Sequence, residues 1–275
     1  VIRGEVFAEN EADFRTLRAF IWLLLREVGA QWLRDLLEER PRDTLGSQIA
    51  MTFSPLTSVA NQLVSIGARP LSGHFDGAPG ADGAAQARNA WHLLRKRNES
   101  LSSDDAFDFA FVLRDADGKA EERRQGLIQA MRGARASVPC SKPQLLTGLA
   151  ITEREGWVLA CFVPRDQRER DALTREQQRS GLTLDADLHQ LVNADRSHPR
   201  DNKRVLEALL GTTPDEHEER IIQSSFETVA RRGATTGLCR ALGDFALWLL
   251  CCHAELVDRA SVDRWFDRAD FDPLS

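Results

Sequence analysis

A chain of 275 residues, 42% apolar and 28% charged, has an ordinary globular composition and can bury a core without staples, as one large domain or one domain plus an appendage. A formal net charge of −6 argues against a broad basic footprint for nucleic acid, but enzymes that hold phosphates through metal ions need acids at the site. Five cysteines in no regular framework point to reduced thiols and a cytoplasmic setting, with no signal peptide and no apolar run of membrane-spanning length.

Ile2 to Ala8 predicts a first strand, followed by Glu9, Asn10, Glu11, Ala12 and Asp13. From Phe14 the apolar residues recur at helical spacing through Leu17, Ile21, Leu24, Leu25 and Val28, until Gly29 breaks the pattern. A second helical piece runs from Gln31 to Glu39 and is stopped by Pro41. Between Thr44 and Gly67, residues Leu56, Val59, Leu63 and Ile66 suggest a helix, and Ala68 to Leu71 a short second strand. Ser72 to Gly83 is glycine-rich but lacks the Gly-Lys-Ser/Thr ending of a P-loop, so it reads as a connection or a lid. Ala84 to Arg97 is helical.

Phe109 to Leu113 is an unbroken apolar run, too short for a helix and therefore a strand buried on both faces. It stops at charge: Asp115 and Asp117 stand one residue apart, followed by Gly118 and a helix from Lys119 to Met131. In open parallel sheets ligands gather beyond the carboxyl ends of the strands. Alternate residues of extended chain point the same way, so Asp-x-Asp can hold a divalent cation; an Asp-Gly turn with a helix-capping aspartate is the other reading. A loop from Ala136 to Pro143 and a strand from Leu145 to Ile151 come next, ending in Thr152, Glu153, Arg154 and Glu155 before the apolar run Trp157 to Phe162. Strands ending in acids and alternating with helices predict a parallel α/β sheet at whose rim Glu9, Asp115, Asp117 and Glu155 converge.

Beyond this the character changes. Arg165 to Ser180 reads as an exposed charged helix or a flexible segment, and Asn202 to Leu210 as a short helix ended by Gly211. Thr213-Pro214-Asp215-Glu216 reads as a capping box, with Ile222, Phe226 and Val229 on the buried face behind it and Gly233 at the end. Gly237 to Val257 is the most apolar helix, and Cys251, Cys252 and His253 within it read as core rather than as a metal site. His198, Arg200 and Lys203 can meet phosphate, and Lys203 is the first choice for a basic helper.

The segments Glu9 to Asp13, Asp115 to Gly118 and Glu155 to Trp157 together resemble a Toprim domain, and are most similar to nucleases of the overcoming-lysogenisation-defect type from bacterial defence and repair systems. The similarity covers roughly the first three fifths of the chain. Glu9 and Asp13 match the first motif, Glu-Gly-x-x-Asp, with Asn10 in place of glycine; Asn tolerates left-handed backbone better than other substituted residues. The resemblance implies that Glu9 serves in acid/base work or metal binding, that Asp115 and Asp117 bind Mg2+ or Mn2+, and that Glu155 is a further acid. The resulting expectation is a Toprim-like α/β domain over 1–165 with a helical C-terminal region over 166–275. Its catalytic residues are Glu9, Asp115, Asp117 and Lys203, and its metal ligands Glu9, Asp13, Asp115, Asp117 and Glu155. It is a metal-dependent nuclease acting on nucleic acid in defence or repair, away from membranes. The alternative is a Toprim-like partner-binding subunit of an ATPase-containing defence complex with little activity alone; self-association into a homo-oligomer is a separate expectation. With no tyrosine in the chain, strand passage through a tyrosine ester is excluded within it.

Overall fold

The computed structural model describes residues 1–39, 41–71, 73–75, 78–137, 142–192 and 194–266. Strand β1 (Ile2–Ala8) runs into helix α1 (Glu11–Val28), followed by α2 (Gln31–Glu39), α3 (Pro41–Gln48), β2 (Ile49–Pro55) and α4 (Val59–Ser65). The two-residue strands β3 (His74–Phe75) and β4 (Ala78–Pro79) pair antiparallel in the glycine-rich stretch and lead to α5 (Ala84–Asn98). Then come β5 (Phe109–Asp115), α6 (Ala120–Ser137), β6 (Gln144–Ala150) and α7 (Glu153–Ala160). Helices α8 (Gln167–Ser180), α9 (Asn202–Leu210), α10 (Pro214–Ile222), α11 (Phe226–Gly233), α12 (Leu238–Cys252) and α13 (Arg259–Trp265) complete the order.

Four strands form one all-parallel sheet in the order β2-β1-β5-β6, so all their carboxyl ends lie along one rim. Successive side chains of a strand point to opposite faces, and β5 sorts its residues accordingly. Phe109, Phe111 and Leu113 join the core made with α1, α7 and α12. Ala110 and Val112 join the core under α4, α5 and α6, with Trp91, Leu94, Leu127 and Met131. Continuing the alternation puts Asp115 on the first face and Arg114 on the second. The sheet has helices on both sides because both of its faces are apolar.

The helices after residue 166 share the first core with the sheet. Phe109 of β5 meets the rings of Phe245 and Trp248 on α12 at 5.6 and 5.0 Å between centroids, and Trp157 donates its indole N–H to the Thr236 carbonyl at 2.9 Å. On the second face Glu5 is buried with Ser54 and the Arg97 guanidinium as partners, and Arg97 also reaches Gln62 at 2.6 Å. Removing the half-buried arginine strands a buried carboxylate. Arg97→Met is therefore expected to cost about 3 kcal/mol in chemical denaturation, and Glu5→Gln with Arg97→Met to recover most of it.

Several expectations are corrected. The second strand is Ile49–Pro55, not Ala68 to Leu71: Pro70 has no N–H, and Leu71 spends its backbone on the Asn89 carboxamide, donating at 2.7 Å and accepting at 3.3 Å. Thr213 makes no capping hydrogen bond; the first turns of α10 are tied to α1 by Arg15, which pairs with Asp215 and Glu218. The helix expected through Ile222 and Val229 is broken into α10 and α11, the second capped by Ser225, which accepts from the Thr228 N–H at 3.2 Å. Cys251 and Cys252 are exposed rather than core, because α12 turns that face outward before it ends at His253. Helix α6 continues past Met131 to Ser137, and 138–141 of the loop expected from Ala136 to Pro143 lie outside the described residues.

Candidate active site at the carboxyl rim

Where β1 ends, Asn10 is extended (φ −147°) and caps α1. Its side chain accepts from the Asp13 N–H at 3.1 Å, and Asp13 Oδ2 accepts in return from the Asn10 N–H at 3.2 Å. The residue in the glycine position of the motif thus works as a helix cap and not as a left-handed turn, which corrects the reason for tolerating it. The cap fixes Asp13 on the buried side of the first turn, with Oδ1 turned toward the neighbouring strand ends.

Asp115 closes β5 on the same face. Its Oδ1 accepts from the backbone N–H of Arg154, at the start of α7, at 3.2 Å. That approach depends on Glu153, whose φ of +56° lies in the left-handed region that side chains disfavour by about 1–2 kcal/mol. From this turn the Arg154 guanidinium lodges between two acids, Nε 3.6 Å from Asp13 Oδ1 and Nη2 3.2 Å from Glu155 Oε1. Gly156 must follow: a Cβ there would stand 1.8 Å from Thr152 Oγ1.

Two elements of the C-terminal region complete the rim. Asp201 caps α9, accepting from the Arg204 N–H at 2.7 Å. The cap presents Asn202, which donates to Glu153 Oε2 at 3.1 Å, and Lys203, whose Nζ lies 3.3 Å from the same oxygen. From α10, buried His217 accepts from Arg154 Nη1 at Nδ1 (3.4 Å) and donates from Nε2 to the Gly211 carbonyl at 3.2 Å. Burial keeps this imidazole below its ordinary pKa, and the Arg154 charge opposes protonation further.

Crowding of like charge governs the site. Burial first, then the charges of Asp13, Glu155, Glu153 and Glu9, push Asp115 up to about 8. Asp13 rises to about 6 through burial, with Glu155 and Glu9 adding to it and Arg154 and the Asn10 N–H opposing. Burial also raises Glu153. It works against the Lys203 ammonium as well, but Glu153, Glu155 and Asp115 outweigh it and hold that pKa above the usual lysine value.

The structure therefore brings Asp13, Asp115, Glu155 and Lys203 together, with exposed Glu9 close enough to act on both aspartates. Asp117 departs from this group. It lies beyond the strand with φ +44°, so the alternation expected of Asp-x-Asp ends at Asp115, and its carboxylate pairs with Arg123 Nη1 at 2.7 Å. His198 and Arg200 are drawn into their own loop, the Arg200 N–H donating to His198 Nδ1 at 3.1 Å. His74 is exposed. Glu153, Arg154, Asn202 and His217 carry no site signal in the sequence reading. The acid-rich run after β6 was visible, but which of its members turn inward depends on the backbone of Glu153.

Carboxylate oxygens are the donors that magnesium and manganese take, and an aspartate that holds its proton to about pH 8 is one that a cation would ionise. Among the described residues, no three His, Cys, Asp or Glu side chains stand around one point, Arg154 being the cation between Asp13 and Glu155. The donor chemistry fits such an ion, provided the guanidinium moves aside. Comparison of the chain with protein-family models, curated proteins and solved structures finds no match in any of the three.

Proposed function

We propose that the chain is a metal-dependent phosphodiesterase, a Toprim-type nuclease using Mg2+ or Mn2+ on a nucleic-acid substrate in bacterial antiviral defence or DNA repair. The observation that carries this reading is the meeting of Asp13, Asp115 and Glu155 at one strand rim within reach of the Glu9 charge. Asp13, Asp115 and Glu155, with Glu9 at the open side, would hold the ion. When bound, such an ion polarises a phosphoryl oxygen and makes a water nucleophilic at neutral pH. Lys203, kept charged by its acidic neighbours, offsets negative charge developing on phosphate oxygens. Glu153, itself held by Asn202, anchors the Lys203 ammonium, and Glu9, exposed just after β1, is the group placed to accept a proton from water. Lys203→Met is expected to lower kcat about a hundredfold with little change in manganese affinity, as read by single-turnover cleavage and calorimetry. Loss of manganese binding in that variant would remove Lys203 from this role.

A second reading is favoured by Arg154: a site held shut by its own guanidinium suits a Toprim-like subunit that is opened by a partner, such as an ATPase, and has little activity alone. Arg154→Ala separates the two. It raises basal manganese-dependent cleavage if the arginine only shuts the site, and lowers it if the arginine holds Glu155 in place for catalysis.

A further inference from the structure

Opposite the carboxylates, on the α5 and α6 side of β5, lies a second polar cluster. Arg114 is 8% exposed, and its Nε has no hydrogen-bond partner. Its Nη1 donates to the Gln86 carboxamide oxygen, and among the described residues no carboxylate stands within ion-pairing distance of it. The head of this side chain is aimed at the start of α5. Gly83, which precedes that 15-residue helix with φ +83° and supplies no side-chain cap, would place a Cβ 2.6 Å from Nη1. Arg123, equally buried, stands nearby, engaged with Asp82 at 3.2 Å and with Asp117. Burial and the charge of Arg123 lower the Arg114 pKa, while Asp82, Glu9 and Asp117 offset part of this from farther away.

We propose that Arg114 and the amino end of α5 form a phosphate-binding site. A buried guanidinium with no counter-ion among the described residues calls for an anion, and a helix start without a side-chain cap beside it offers N–H groups and the positive end of the helix dipole. Gln86 is exposed, so its neutral oxygen holds a place that a phosphate oxygen would take with a stronger, charge-assisted bond. The glycine at the helix start is what lets the Arg114 guanidinium come this close to the first turn of α5. The glycine-rich stretch thus ends as an anion-binding loop does, with an arginine from the adjacent strand in place of the P-loop lysine. The phosphate belongs either to a nucleic-acid strand, which rests on the phosphodiesterase reading, or to a free or small-molecule phosphate, which does not.

The test uses the intact chain in EDTA, with two probes: anisotropy of a labelled single-stranded oligonucleotide, and the melting temperature in millimolar inorganic phosphate. Arg114→Gln is expected to weaken oligonucleotide binding about tenfold, to flatten its salt dependence by about one phosphate, and to cancel stabilisation by phosphate. Arg124→Gln, exposed on the same side of the sheet, changes neither. Gln86→Glu supplies an internal counter-ion, so it raises the melting temperature without phosphate and removes the response to it, which keeps the test decisive if Arg114→Gln does not fold. Loss confined to the oligonucleotide identifies a strand phosphate, and loss confined to phosphate a small molecule; either supports the site. Unchanged responses in both variants, or no response of the wild type to either probe, overturn it. Asp115→Ala keeps the phosphate response, so this site and the cleavage reading fail separately.

Discussion

Asp115→Asn is expected to abolish metal-dependent cleavage, by about a thousandfold or more, while making the metal-free protein more stable at alkaline pH. The two effects have one cause. The folded chain raises the pKa of Asp115 from the ordinary value near 3.8 to about 8, so over that interval the fold binds a proton that the unfolded chain has released. Its stabilising contribution is complete below about pH 4 and is lost as pH rises through about 8. Asp13, raised to about 6, adds a smaller loss between about pH 4 and pH 6. With solvent reaching the rim, the combined fall is on the order of 2 kcal/mol. Asparagine keeps the shape and removes the charge, so the variant should hold its melting temperature between about pH 6 and pH 8, the part of the wild-type decline that lies above the Asp13 titration. Manganese, by replacing the proton, should restore the wild type and leave the variant unmoved. A wild-type melting temperature in EDTA that rises over this range would refute the charge crowding.

The largest expected loss of stability away from the rim is at Gly4. In register it lies opposite Phe109, and a Cβ at Gly4 would stand 2.0 Å from the tip of that ring. The ring cannot retreat, since Phe245 and Trp248 of α12 hold its far side. Gly4→Ala is therefore expected to cost about 3 kcal/mol or more, near the upper end of what overpacking does. Phe109→Leu should recover part of it by removing the atoms that clash, a non-additivity that urea denaturation of the single and double variants would read. Equal costs with and without the Phe109 change would mean that the strands separate instead of the ring.

Much of this arrangement is legible in the chain because it rests on local signals. Phe109 to Leu113 reads most simply as a doubly buried strand, which it is, and the abrupt change to Asp115 marks its carboxyl end. Asp201 and Gly211 bracket Asn202–Leu210 as cap and stop. Other features depend on contacts far apart in sequence. The alternation of Ile49, Met51 and Phe53 is a strand signal, masked by the helical spacing that follows it. Asp117 looks equivalent to Asp115 in sequence, but one left-handed residue turns it to Arg123. Asn10 looks like a weakened motif glycine and is a cap. Arg154 carries no signal of its own; its place between two acids comes from the turn at Glu153 and from His217 on a distant helix.

If acids from separate strand ends share one hard cation, manganese soaked into crystals grown near pH 8 will show it. An anomalous peak is expected within coordination distance of carboxylate oxygens from Asp115 and from Asp13 or Glu155, with the Arg154 guanidinium swung away. A saturating soak that leaves this rim without a peak and the Arg154 contacts intact would contradict it.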